Sequence, residues 1–154
     1  MKTHTKKSAI EALIFCVFFI FLATSGCMDM KGGAVELQWV VRDTNQRARE
    51  CAEVGISHIR ISIVQSTEDE TIDLCKDPET DVGRCTFKCD VGNGTTPFKI
   101  PEGWYHFGLV ALDEDGMVIP ANLISIPSPI FRRVLYGEIL DLGVWQITVN
   151  ASDD

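Results

Sequence analysis

Apolar residues alternate with polar ones in short bursts along this chain, and that period limits the fold more than any other feature. Val35, Leu37, Trp39 and Val41 are interleaved with Glu36, Gln38 and Arg42. Ile59, Ile61 and Ile63 are interleaved with His58, Arg60 and Ser62, and Tyr105, Phe107, Leu109 and Ala111 share one face of Trp104–Leu112. Side chains on a strand point to opposite faces in turn, so a period of two means a strand with one buried face. Further strands are expected at Cys85–Cys89, Met117–Ile119, Phe131–Tyr136 and Val144–Val149, the last with Trp145, Ile147 and Val149 inward. Pro101-Glu102-Gly103 suits a type I turn ahead of the Trp104 strand. Asp113-Glu114-Asp115-Gly116 suits a hairpin loop closed by the positive φ of glycine. Pro120, Pro127 and Pro129 make 120–130 a loop or an interrupted edge, because proline cannot donate to a ladder. Between the first two strands a short helix is expected, with Asp43 as its cap, Gln46 three residues on, and Gly55 at its end. Ala48, Cys51 and Ala52 would form its inner face. About seven strands with frequent turns and one short helix imply an all-β, antiparallel β-sandwich over residues 34–150. No internal repeat is visible.

The first 26 residues obey a different rule. Lys2, Lys6 and Lys7 precede an unbroken apolar run, Ala12–Ala23, and then Thr24-Ser25-Gly26-Cys27. Twelve apolar residues fall short of the roughly 20 that cross a bilayer. The order of charge, apolar run, small residues and cysteine resembles a bacterial lipoprotein signal peptide, which makes 1–26 the signal and Cys27 the lipidated new N-terminus. Thr24 stands where an aliphatic residue is usual, and the alternative is an ordinary secretory signal that leaves the protein secreted or periplasmic. Residues 27–33 would be the lipidated cysteine and its tether, Met28–Gly33 spanning at most about 20 Å. Met28 replaces the aspartate that retains enteric-type lipoproteins at the inner membrane, which favours the outer one. Residues 151–154 are an acidic tail.

Beyond residue 26 the chain holds 11 Lys and Arg against 21 Asp and Glu, a net charge of −10. Such a surface lacks the positive stripe that nucleic acid requires. The acidic groups at Glu68-Asp69-Glu70, Asp113-Glu114-Asp115 and Asp153-Asp154 lack the spacing of a calcium loop, and solvated loops explain them. Asn93-Gly94-Thr95 fits a glycosylation acceptor, which matters only in a eukaryotic secretory pathway.

Four cysteines, Cys51, Cys75, Cys85 and Cys89, form an even set suited to an exported chain. Zinc is the rival, but Cys85-Thr86-Phe87-Lys88-Cys89 is not the usual Cys-x2-Cys spacing and no histidine is near in sequence. On a strand, Cys85 and Cys89 would lie about 13 Å apart, too far to bond each other. The expected pairs are Cys75–Cys85, closing the loop 76–84, and Cys51–Cys89, tying the short helix to the sheet.

Cys51-Ala52-Glu53-Val54-Gly55-Ile56 with the alternating isoleucines, Ile100-Pro101-Glu102-Gly103-Trp104-Tyr105 and Ala111-Leu112-Asp113-Glu114-Asp115-Gly116 resemble the prealbumin-like sandwich domains of bacterial surface lipoproteins. These are related in form to transthyretin-like and carboxypeptidase-regulatory-like modules. The resemblance covers most of 34–150 and implies a non-catalytic module; the insertion carrying Cys75 and Cys85 departs from the simple pattern.

No Gly-x-Ser-x-Gly, His-Glu-x-x-His or phosphate-cradling glycine loop occurs, so an enzyme and a cofactor are not expected. His58 and His106 face away from their strands' apolar sets; a metal site with Asp113 or Glu102 would require them to meet in space. Trp104 and Tyr105 are the candidate ligand or partner contacts, one of the two expected in the core and the other at the sheet surface. The functional expectation is a membrane-anchored interaction or structural module with a protein partner in the cell envelope. A small-molecule or glycan-binding surface protein is the alternative.

Overall fold

In a computed structural model of the chain, which describes residues 30–67, 70–77, 79 and 81–150, the alternating segments form strands. The signal segment, Cys27, Glu68-Asp69 and the tail 151–154 lie outside the described residues. The nine strands are β1 (Ala34–Asp43), β2 (His58–Ser66), β3 (Thr71–Asp73), β4 (Thr86–Lys88), β5 (Asn93–Thr95), β6 (Gly103–Leu112), β7 (Ile124–Ser125), β8 (Ile130–Val134) and β9 (Ile139–Val149). They build two sheets, one ordered β5-β1-β9-β7 and the other β3-β2-β6-β8, with β4 also paired to β2. The sandwich expected from the alternation is present.

One pairing departs from the antiparallel expectation. β1 and β9 run parallel, Trp39 opposite Trp145 and Val41 opposite Ile147. The register slips between Glu36 and Gln38, where β9 carries an extra residue around Gly143 (φ 74°). That bulge puts both Leu142 and Trp145 inside despite their odd spacing.

The two inner faces bury the alternating sets. Val35, Leu37, Trp39, Val41, Trp145 and Ile147 come from one sheet, and Ile59, Ile61, Ile63, Tyr105, Phe107, Leu109 and Ala111 from the other. Each large aliphatic or aromatic side chain removed from water contributes about 1.5–3 kcal/mol before entropy is counted, so the pattern alone forces the two sheets face to face.

The expected helix is reduced to a single 3-10 turn at its C-terminal end. Asp43 Oδ1 accepts from the backbone N–H groups of Asn45 and Arg47, each at 2.9 Å, which closes a tight turn. Gln46 takes a positive φ of 64°, and the chain folds back so that Arg49 N–H donates to Val41 O. Only a 3-10 turn at Ala52–Val54 follows, ending at Gly55 with φ 72°. Ala48 and Ala52 are exposed, so no inner helical face exists. An aspartate that can cap a helix can equally close an Asx turn, and here the turn wins. The expected strand Met117–Ile119 is reduced to a single bridge, Leu112 to Val118. Within 120–130 only the two residues of β7 join a ladder, pairing with β9.

Candidate functional site

Trp104 and Tyr105 are adjacent on β6 and therefore point to opposite faces. Tyr105 is 1% exposed and Trp104 55%. Tyr105 is thus a core residue: its hydroxyl donates to Pro101 O at 2.9 Å and its ring lies 6.1 Å from that of Phe107. Surface contact is left to Trp104 alone. Burial holds the Tyr105 phenol above its ordinary value of 10.0. The folded state therefore keeps this proton to higher pH than the unfolded chain. Its contribution to stability is full below pH 10 and is lost as pH rises through the raised value. Tyr105→Phe, which removes the bond to Pro101 O, is expected to be about 1 kcal/mol less stable at neutral pH. The gap should narrow in denaturation measured at alkaline pH; a constant gap would contradict the raised phenol.

On the outer face of the same sheet Trp104 is joined by a residue from β8. β6 and β8 pair antiparallel, with His106 opposite Phe131 and Trp104 opposite Arg133. The Trp104 and Phe131 rings stack at 5.1 Å between centroids, 21° from coplanar, and His106 lies 4.7 Å from Phe131. Phe131 is 49% exposed. Beside them Arg133 Nη2 reaches Glu102 Oε1 at 2.6 Å, an exposed pair at the strand start. The result is a flat aromatic surface edged by charge. Such a surface can stack on a sugar ring or seat an apolar side chain of a partner. Sequence reasoning missed Phe131, although its place opposite the β6 alternation was the available signal.

The end of the sandwich at which the chain enters is also apolar. Met30, Leu135, Tyr136 and Ile139 are exposed there. Tyr136 donates its hydroxyl to Met30 O at 2.6 Å, and Gly137 N–H donates to Gly32 O.

His58 and His106 do not meet. His58 pairs with Leu112 at one end of the β2–β6 ladder, and His106 with Val64 toward the other, six residues away or about 20 Å along the strand. Glu102 is engaged by Arg133, and Asp113 Oδ1 accepts from Met117 N–H. Among the described residues no three His, Cys, Asp or Glu side chains gather as metal ligands would.

Cys51 is bonded to Cys89 and Cys75 to Cys85, with Cα atoms 5.9 and 5.8 Å apart. These are the two expected pairs, although spacing excludes only a Cys85–Cys89 bond. Two larger clefts lie away from Trp104. One of about 600 Å³ lies between the Asp43–Arg49 turn and the residues Leu123, Ile124, Val149 and Asn150; the other, about 470 Å³, lies between β4 and β5.

The described part of the chain is defined by its own geometry. It is a two-sheet, disulfide-linked β-sandwich with an aromatic outer face. No family model and no curated protein matches it. Among solved structures it is similar to a DUF3823 family protein from Bacteroides uniformis, also β-rich, at 12% identity and a TM-score of 0.40. The alignment covers 75% of this chain and 43% of that one, so this chain spans less than half the length of that neighbour.

Proposed function

We propose that this chain is an extracytoplasmic, lipid-anchored, non-catalytic interaction module, held to a membrane through Cys27 and presenting its Trp104 face to a protein partner in the cell envelope. The observation that carries the reading is the exposed Trp104–Phe131 stack. A large aromatic pair left in water is a standing contact surface, since Trp and its neighbours dominate binding energy where they are covered. Support for the compartment comes from the two disulfides, which persist in oxidising surroundings. Support for the anchor comes from reach. Only two residues separate Cys27 from Met30, three steps or at most about 11 Å of chain, and the apolar rim of Met30, Leu135, Tyr136 and Ile139 stands at that end. Acyl chains contribute about 0.8 kcal/mol per buried methylene, so a multiply acylated Cys27 holds durably without a basic patch. The resemblance to prealbumin-like surface lipoproteins implies a non-catalytic module. The stacked pair equally suits a sugar ring, and a glycan-binding role is the second reading.

Two measurements test the proposal. Labelling cells with a fatty-acid analogue is expected to mark the wild type and not Cys27→Ala; equal labelling would sink the anchor. A photo-crosslinker at position 104 should give a defined protein adduct in the native envelope, while one at exposed Glu114 should not. Identical adducts from both positions would remove the Trp104 face as the contact. Trp104→Ala should lose the partner while changing stability by less than about 1 kcal/mol.

A further inference from the structure

We infer that the groove between β4 and β5 is a binding site for an anionic group, a carboxylate or a phosphate carried by a small ligand. The cleft is lined by His58, Arg84, Thr86, Lys88, Asn93 and Thr95, alongside the ring of Phe87. It opens where an edge strand of one sheet meets an edge strand of the other. On β2 and β4, His58 is opposite Lys88 and Arg60 is opposite Thr86. Residues two apart on a strand share a face. These four side chains therefore form a block on the outer face of the sheet, with Arg84 just ahead of it.

Three fixed positive charges, Arg60, Arg84 and Lys88, thus gather on a chain whose charge past residue 26 is −10. Four other cations are ion-paired: Arg49 with Asp43 and Glu53, Lys76 with Asp73, Lys99 with Asp81 and Arg133 with Glu102. Here they are not. Among the described residues the side chains of Arg60 and Lys88 make neither a hydrogen bond nor an ion pair, and that of Arg84 contacts only the Phe87 ring, at 5.0 Å.

Arg60 lies beside the groove without lining it, opposite Thr86 across the β2–β4 pair. Its Nε and Nη2 are buried without a hydrogen-bond partner. A partly desolvated guanidinium with no counter-charge is unfavourable, and a nearby anion relieves that. Arg84, laid over Phe87, has already lost much of the side-chain freedom that binding would otherwise remove. The hydroxyl of Thr86 and the amide of Asn93 add neutral donors of the kind that fix an oxyanion's orientation. The acid that touches the lining is Glu36, whose Oε2 accepts from Thr95 Oγ1 at 3.4 Å. It leaves the Arg60, Arg84 and Lys88 side free. A groove of about 470 Å³ suits one small ligand, and the acidic surface around it opposes a nucleic-acid strand. His58 and Trp104 lie toward opposite ends of the β2–β6 pair, so the two surfaces do not compete, and this site stands whether or not Cys27 is acylated.

The test is an amide-resolved NMR titration of the exported protein with inorganic phosphate, with glucuronate, and with glucose as the uncharged control. Saturable shifts are expected at Thr86, Lys88 and Asn93 with one or both anions and none with glucose. Phosphate alone identifies a phosphate-bearing ligand, and stronger glucuronate binding an acidic sugar. Arg84→Gln and Lys88→Gln, both at exposed positions, should each weaken binding about tenfold, the loss of one charge-assisted bond. Shifts spread equally over Lys76 and Lys99, or unchanged affinity in both variants, would overturn the site.

Discussion

Replacing Cys51 and Cys89 together by alanine is expected to destabilise the domain by about 4 kcal/mol, and replacing Cys75 and Cys85 by about 3 kcal/mol. The difference follows from the loops they close, 38 residues against 10 in sequence separation. Cross-linking removes more freedom from the unfolded chain when the closed loop is longer. The longer loop also contains β2, β3 and β4, one whole flank of the larger sheet. Packing adds to the effect, because Cys89 is buried and Trp39 Nε1 donates to its carbonyl oxygen at 2.8 Å. Loss of the bridge frees the backbone that this indole holds. Domains of this size are stable by about 5–15 kcal/mol, so the first variant should sit near the edge of folding. Denaturant midpoints measured without reductant check this. Wild-type behaviour in Cys51→Ala/Cys89→Ala would show that the bridge does not support the fold.

How much of this was legible in the sequence depends on the range of the interaction. Strands β1, β2 and β6 were readable because each is long and buries one face, so its own residues carry the period. β3, β5 and β7 have two or three residues each, too few to show any period, and they exist through pairing with a longer neighbour. The parallel contact of β1 with β9 joins residues about a hundred positions apart and leaves no local trace. The false helix after Asp43 has a local cause: cap and Asx turn use the same carboxylate and the same donors, and only the positive φ at Gln46 separates them. The sites divide in the same way. Trp104 stood out alone, but Phe131 joins it only through the β6–β8 register. The cations of the β4–β5 groove come from β4 and the segment before it, with Arg60 of β2 alongside, and the lack of partners for their side chains is a fact of three dimensions.

Gly32→Ala is expected to destabilise the point where the tether joins the sandwich by about 3 kcal/mol, at the upper end for an overpacked site. A Cβ built at Gly32 would run into the carbonyl group of Ile100, within contact range of its oxygen and 2.6 Å from its carbon. That obstacle is backbone, so no rotamer change relieves it. The neighbouring backbone is also fixed, since Gly33 N–H donates to Ile100 O and Ile100 N–H returns to Gly33 O, at 2.8 and 3.1 Å. Lys31 N–H donates to Phe98 O on the same side. The chain can escape only by peeling residues 30–33 from the 98–100 segment. Peeling would break these bonds and separate Met30 from the Tyr136 hydroxyl, while β2 and β6 keep their own ladder. Hydrogen exchange separates local from global failure. The amides of Gly33 and Ile100 should lose protection in Gly32→Ala while those of Ile61 and Leu109 keep theirs. By contrast, Gly137 has nothing within 4 Å of a built Cβ and is constrained only by its φ of 74°. Asparagine tolerates that conformation, so Gly137→Asn should change stability by less than about 1 kcal/mol. Uniform protection in Gly32→Ala would mean that the chain enters the sandwich more loosely than this packing requires. The apolar rim around Met30 would then no longer be held in a fixed position three residues from the anchor.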